Sequence, residues 1–366
     1  MHFLKHLWIR GLRRARDEYE EAQSDVVHAS PLIRLALYAF FVYFFCAILL
    51  GIYWSFAPAP VNVKDAIQSQ TMLTLGDHHA QLPSGVATTS TLIVVSETLL
   101  NKSGGYISND ICPPGIWLDN ISHWEFGVLQ QVRATAQALR GSFSQSTVLQ
   151  HVDMDLQKAE VRFNFSSSSW VFPATESQYL SGVEHLQKYN MRLMQGEIAD
   201  AHFYADAEHL SDYLAGVEQR LRSLSQRLTA SIGPRINTDT AALSVTSSEQ
   251  LKAESKITNG LYTKTPWLQL DDVFYEARGS AWAMLALLQG VEMDFSDVLK
   301  NKNAQASFEQ IIRELQATQQ PVYSPMILNG EGFGFVANHS LAMASYLSRA
   351  QAAIADCRRQ LLLPSQ

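Results

Sequence analysis

The sequence predicts an all-α protein in which a single N-terminal transmembrane helix is followed by an exported multi-helix bundle with long helices. The first observation is a run of 22 uncharged residues, Leu35 to Phe56. As a helix, this run is about 33 Å long and covers a hydrocarbon core of about 30 Å. The second observation is a set of apolar residues over 203–228 whose spacing alternates between four and three, and the third is the same alternation over 343–361. Both patterns are typical of packed helices.

The residues before the apolar run predict its orientation. Residues 1–34 form a basic amphipathic segment with six Lys and Arg, whereas the 20 residues after Phe56 contain only Lys64. Because basic flanks stay in the cytoplasm, we expect a cytoplasmic N-terminus and an exported C-terminal part. The basic segment either lies as a helix on the cytoplasmic leaflet or is a frayed tail whose charges only fix the topology.

A retained anchor is favoured over a cleaved signal peptide. Signal peptides have a short leader and an apolar run of about 7–15 residues, and both are longer here. Ala57-Pro58-Ala59 resembles a cleavage site, but Pro60 would follow the cut and hinder it. We therefore expect a transmembrane helix over 35–56, a linker over 57–84 and an exported helical domain over 85–366.

The charge balance argues against one class of partner. The 366 residues contain 28 Lys and Arg and 35 Asp and Glu, a net charge of −7. Residues 1–34 hold six basic and five acidic residues, which leaves −8 for residues 35–366. An acidic exported domain matches nucleic-acid phosphates poorly, so we expect no nucleic-acid partner.

The exported part begins with two predicted helices. The first is the apolar stretch Thr88–Leu100, which stops at Gly104-Gly105, although its β-branched residues also permit a strand. The rigid turn Ser108–Gly115 follows, and a helix is predicted over 122–140. Residues 141–174 are irregular and contain alternating apolar residues that predict a short extended segment: Val161, Phe163 and Phe165.

A long helical stretch opens at a predicted capping box, Thr175–Gln178, and ends at Ile232. Its second half carries the first heptad seam, which consists of Phe203, Ala207, Leu210, Leu214, Val217, Leu221, Leu224 and Leu228. The seam is interrupted near Gly196–Asp200, where a kink or turn is expected. Residues 235–265 are polar and predict a mobile loop.

Three further helices are predicted after this loop, over about 273–291, 308–315 and 338–362. The last one carries the second seam, which consists of Met343, Leu347, Ala350, Ile354, Cys357 and Leu361. The two seams either pack against each other in a bundle or form a homo-oligomer, and their spacing does not distinguish these alternatives. The three cysteines are too sparse for a disulfide framework, so Cys112 and Cys357 either pair or stay independent thiols.

A Gly-rich loop before the last helix is the candidate ligand or partner site. It comprises Asn329, Gly330, Glu331, Gly332, Phe333, Gly334, Phe335, Asn338 and His339. Backbone N–H groups of such a loop can bind an anion at a helix start. The nucleotide-binding fingerprint is incomplete, because Phe335 stands where a Gly is required. In the alternative interpretation the loop is a tight turn, its phenylalanines fill the bundle, and Asn338 or Ser340 caps the helix.

Other candidate chemistry is weaker. His202, Asp206 and His209 share one face of the predicted helix and could supply three metal ligands, although a solvated face is the favoured interpretation, and no cofactor is expected. Glu331 and His339 are possible acid–base groups. The sequence lacks G-x-S-x-G, C-x-x-C and H-E-x-x-H motifs, which favours a non-enzymatic role.

Several sequence blocks resemble a proteobacterial family, domain-of-unknown-function family 2333. These blocks are 108–110, 113–115, 118–120, 124–127, 223–228, 270–279, 311–319 and 328–340. The resemblance covers essentially the whole chain and implies a Gram-negative inner-membrane protein with a periplasmic domain. It implies no activity. It also weakens a disulfide, since Cys112 and Cys357 lie outside the blocks.

These observations favour a membrane-anchored periplasmic helical protein that scaffolds or binds other envelope proteins. One alternative is a periplasmic enzyme or ligand-binding protein that uses the loop over 329–340. Another is a sensor that signals to a cytoplasmic partner through residues 1–30. The expected partners are the lipid bilayer, envelope proteins and, through the seams, a second copy of the chain.

Overall fold

The computed structural model describes most of the chain, namely residues 31–75, 82–145, 152–196, 200–232, 266, 269–322, 324, 327–330 and 337–364. Residues 1–30 of the predicted basic segment and the predicted mobile loop over 235–265 lie outside these residues. The described part contains α-helices, two short helical turns and no β-strand, which confirms the predicted all-α class. The turns are a 3₁₀ turn at Gly115–Trp117 and a π turn at Leu139–Phe143.

Eleven α-helices occur in the described residues. They are α1 Pro31–Trp54, α2 Val63–Leu75, α3 Val86–Asn101, α4 Asp119–Ala138, α5 Met154–Phe163, α6 Thr175–Met194, α7 Ala207–Ile232, α8 Leu270–Asp294, α9 Ser296–Asn301, α10 Gln305–Ala317 and α11 His339–Leu362. The chain divides into two compact units, residues 1–53 and residues 54–366. We call the second unit the helical domain.

The first unit contains α1 up to Tyr53. Large apolar side chains are exposed along this helix, and only Ala47 and Gly51 are buried. Its most apolar 18-residue window has a mean hydropathy of 2.5. Among the described helices, α1 is the one that is long and apolar enough to cross a membrane. A signal sequence near an N-terminus can have the same length and composition.

The helical domain is built around the crossing of α4 and α8. Gly127 of α4 lies against the backbone of Glu276, and Gly279 of α8 lies against the backbone of Trp124, so the two helices approach without side chains between them. Helix α3 packs against both α8 and α6, and α5 packs against α6. The Trp124 and Trp282 rings meet edge to face with their centroids 5.1 Å apart.

The two heptad seams pack within the chain, because α7 pairs with α11 and α10 covers the other side of α11. All six residues of the second seam are buried, as are those of the first seam from Leu210 onward. A homo-oligomer would therefore have to use another surface or open this helix pair. The predicted break in the first seam is confirmed, since α6 ends at Met194 and Gly196 has a φ of +67°.

Three local predictions are wrong. The extended segment around Phe163 is instead helix α5, which begins after the N-cap Asp153 and buries Leu156, Ala159 and Phe163 on one face. The segment over 57–84 is more than a linker, because it contains α2, whose Val63 and Ile67 are buried.

The predicted capping box is the third error. Ala174 is the N-cap residue of α6, and the hydroxyl of Thr175 donates to Ser166 O at 2.9 Å instead of capping the helix. Thr175 therefore closes the preceding serine-rich loop onto the start of α6.

Candidate functional site

The two described ends of the predicted Gly-rich loop pair with each other at the start of α11, and we call this pairing the clamp. Asn329 and Asn338 form an antiparallel bridge, and Gly330 N–H donates to Ala337 O at 3.0 Å. The Asn338 side chain accepts from Leu341 N–H at 2.8 Å, so Asn338 is the helix cap, as one of the two interpretations predicts. Leu328 N–H donates to Nδ1 of His339 at 3.0 Å, which commits one ring nitrogen of that histidine to the clamp. Glu331, Gly332, Phe333 and Gly334 lie outside the described residues.

The three metal candidates do not share a helix face. Helix α7 begins at Ala207, so His202 and Asp206 precede it and the assumption of one continuous helix is wrong. Asp206 instead contacts the start of α7, where its carboxylate lies 2.6 Å from Nδ1 of His209 and accepts from His209 N–H at 2.9 Å. His202 is largely exposed and faces Asp200 at 3.9 Å. The structure therefore brings the side chains of Asp206 and His209 into contact and leaves His202 apart.

A different carboxylate–histidine cluster joins the first turns of α4 and α8. Nε2 of His123 lies 3.3 Å from a carboxylate oxygen of Asp119 and 3.3 Å from one of Asp272. Burial raises the pKa of Asp272, while the charge of His123 acts in the opposite direction. These three side chains could ligate a metal ion, but both acids also lie at positive helix ends, which favour carboxylates and oppose a cation. The sequence shows only the i,i+4 spacing of Asp119 and His123, because Asp272 comes from a distant helix.

A cavity of about 430 Å³ lies under the segment that follows α1. It is lined by Ser55, Phe56, Ala57, Pro58, Ala59, Pro60, Ile121, Tyr275, Arg278, Gln319, Pro321 and Val322. Trp282 Nε1–H donates to Ala59 O at 3.1 Å and fixes the segment over the cavity. Arg278 donates to Gln320 O at 2.9 Å, and none of the described carboxylates pairs with it. Burial lowers the pKa of Arg278, and Tyr275 acts in the opposite direction.

The turn after α3 is organised by a buried ion pair between Lys102 and Glu125. The Glu125 carboxylate also accepts from Ile107 N–H and Ser108 N–H, each at 2.8 Å. Burial raises the pKa of Glu125, whereas Lys102 and the hydrogen bonds from the Ser108 side chain and Ile107 N–H lower it. Gly104, with a φ of +87°, lies in this turn, and a Cβ there would be 2.7 Å from the ring of Trp54. This pair could not be predicted from the sequence, because a charge pattern does not show which ionic side chains are buried.

Fold and site together define a class: an all-helical domain that follows the one candidate membrane span found among the described helices. The chain belongs to a family described as an uncharacterized protein conserved in bacteria, DUF2333, whose model matches residues 29–363. This match confirms the predicted resemblance over nearly the whole chain. No curated protein and no solved structure matches the chain significantly.

Proposed function

We propose that the chain is a single-pass protein of the bacterial inner membrane, with a cytoplasmic N-terminus and a periplasmic helical domain that binds other envelope proteins. The observation that carries this proposal is α1, whose large apolar side chains are exposed along 24 residues and would need a lipid environment. The excess of Lys and Arg before α1 supports the orientation. Membership of a bacterial family is consistent with the localisation.

An interaction role is supported by a polar surface groove, whereas several charged residues elsewhere hold the helices of the domain together. Arg192 donates to Asp153 and Asp155, and Arg227 donates to Glu276, so these ionic groups hold helices together. A polar groove of about 470 Å³ is open between α7 and α11. Its walls are Ala215, Glu218, Gln219, Arg222, Ser223, Gln226 and Arg358. A polar, water-accessible surface of this kind suits a non-obligate protein contact.

Orientation and anchoring can be tested with a cysteine at the exposed position Asp297 on α9. The variant Asp297→Cys, with Cys112→Ser, should react with a membrane-impermeant maleimide in spheroplasts before lysis. Labelling only after lysis would overturn the orientation. Tags at both ends should remain on one polypeptide in the membrane fraction, and loss of the N-terminal tag would show that α1 is cleaved.

The binding role can be tested with a photo-crosslinking residue at Gln226 in the groove and, as a control, at the exposed Lys158 on α5. We expect a discrete crosslinked envelope protein from position 226 that is absent from position 158. No specific product from position 226, together with turnover of an envelope substrate by the purified protein, would reject the proposal.

The two alternatives have separate tests. A ligand-binding or enzymatic role for the loop over 329–340 predicts that the double variant Glu331→Ala, His339→Ala stays folded but loses function, whereas unchanged complementation would count against it. The clamp contacts of Asn338 and His339 support a structural role for the described part of the loop. A sensor role predicts that exchange of residues 1–56 for an unrelated anchor abolishes function.

A further inference from the structure

Two loops of the helical domain expose large apolar side chains at their tips. The first loop follows α3, and the second connects α5 to α6. Their exposed apolar residues, which we call the aromatic rim, are Ile111, Ile116, Trp117, Trp170, Val171 and Phe172. Phe172 is 100% exposed, Trp170 is 58% exposed and Trp117 is 49% exposed. Apolar side chains grouped in this way on a surface mark an interaction site.

Hydrogen bonds hold the two loops side by side. The Asn109 amide donates to Ser169 O at 3.0 Å and to a carboxylate oxygen of Glu176 at 2.9 Å. The Tyr106 hydroxyl donates to Ser167 O at 3.1 Å. The aromatic rim is therefore one surface presented by two loops that are fixed to each other.

The aromatic rim lies at the end of the helical domain that carries Trp54, the last residue of α1. The Trp54 ring packs on Gly104, in the turn that leads directly into the first loop. The residues that follow Trp54 line a cavity together with Ile121. Ile121 lies only four residues after Trp117 of the aromatic rim in the sequence. If α1 crosses a membrane, chain connectivity therefore brings this end of the domain to the bilayer surface.

We propose that the aromatic rim inserts into the interface of the bilayer that α1 crosses. Trp favours this region because its ring is apolar and its N–H is polar, and Phe is one of the apolar side chains that interfacial segments bury at the boundary between headgroups and acyl chains. Acidic side chains near the loops, Asp110 and Asp119, argue against attraction to anionic lipid, so the interaction is with the apolar part of the interface and is insensitive to salt. This inference rests on the proposed membrane anchor.

The test measures lipid contact at three positions of the full-length chain in vesicles of zwitterionic phospholipid. In the first variant, Cys112→Ser leaves Cys46 as the position that carries the fluorophore. The other two variants combine Cys46→Ala and Cys112→Ser with Phe172→Cys or with Met293→Cys, and the fluorophore is placed at position 172 or 293. Cys357 is buried and is left in place. Position 293 is an exposed apolar control far from the aromatic rim. The neighbouring Asp294 accepts a hydrogen bond at the start of α3, whereas the turn at Gly104 follows the other end of that helix, about 24 Å away.

Spin-labelled lipids then serve as quenchers at two depths. We expect a deep label to quench position 46, a shallow label to quench position 172 at both low and high salt, and neither label to quench position 293. If position 172 behaves like position 293 while position 46 is quenched, the anchor stands and lipid contact by the aromatic rim is rejected. Protection of position 172 only after an envelope protein is added would reject it in favour of a protein partner. If position 46 is also unquenched, the proposed anchor itself fails.

Discussion

Replacing Gly279 by alanine should force apart the two helices at the centre of the helical domain. A Cβ at position 279 would lie 2.1 Å from the carbonyl oxygen of Trp124, where an ordinary contact is at least 3.4 Å. The obstacle is the backbone of α4, so no side-chain rotation relieves the overlap. Gly127 has the reciprocal relation to Glu276 O, also at 2.1 Å, so a shift away from one contact is limited by the other. The helices must therefore separate by more than an ångström.

The expected cost follows from two opposing terms. Overpacking in a core costs about 1–3 kcal/mol, and an overlap between two backbones belongs at the upper end of this range. Alanine in place of glycine in a helix recovers about 0.5–1 kcal/mol. We therefore expect a loss of about 2–2.5 kcal/mol in the free energy of unfolding. At about 2 °C per kcal/mol for a domain of this size, the Tm should fall by about 4–5 °C.

Helix unfolding of the purified full-length chain, followed by circular dichroism in detergent, measures this change. Gly216→Ala is the matched control, because that glycine is also inside a helix but its Cβ would meet only the Arg220 side chain at 3.5 Å. The control should leave the Tm unchanged or raise it. If Gly279→Ala is as stable as the Gly216→Ala variant, the close contact of α4 and α8 is wrong.

Three further predictions concern thiols, an ion network and acid stability. Cys112 is exposed and Cys357 is buried with its pKa raised to about 12 by burial, so a maleimide should modify Cys112 in the native protein and Cys357 only after denaturation; equal rates would contradict this burial. Arg192→Ala removes hydrogen bonds to Asp155 and to the N-cap carboxylate of α5. In a denaturant titration, this variant should lower the free energy of unfolding by about 2 kcal/mol. A negligible change would show that the network is solvated. Burial opposes ionisation of Asp155, but hydrogen bonds from His185 and Arg192 outweigh burial and lower the pKa of Asp155 below 3.8. The ionised Asp155 carboxylate therefore stabilises the fold fully above pH 3.8, and this stabilisation is lost as the pH falls further. Stability measured below pH 4 should therefore depend less on pH in the Arg192→Ala variant than in the wild type.

Helices with a long apolar repeat could be predicted from the sequence, because a buried stripe must recur with the helical period. The two seams, with residues such as Leu214 and Leu347, are buried as their spacing indicates. Helix α5 differs from the predicted extended segment, because the alternation of Val161 and Phe163 is too short to distinguish a strand from a helix and because Val161 is exposed. The decisive signal was the N-cap Asp153, which starts the helix by accepting from two backbone N–H groups.

The sites depend on contacts between distant parts of the chain, which sequence spacing does not show. Asp272 meets His123 only because α4 and α8 cross, and the glycines that permit the crossing resemble ordinary helix-weakening residues in the sequence. The Gly-rich loop attracted a functional interpretation through its composition. Its described ends are explained by the cap of Asn338 on α11 and the hydrogen bond to His339.

The buried pair of Lys102 and Glu125 links these observations. Burial of two charges costs several kcal/mol per ion, and well-packed apolar residues of similar size often stabilise a protein as much or more. An ion pair does impose a defined geometry, since Glu125 must accept from both Ile107 N–H and Ser108 N–H to stay satisfied. That geometry sets the turn on which Trp54 packs and from which Tyr106 reaches the second loop. We therefore interpret the pair as the device that fixes the aromatic rim relative to Trp54, because an apolar pair would fill the same space without fixing the path of the turn.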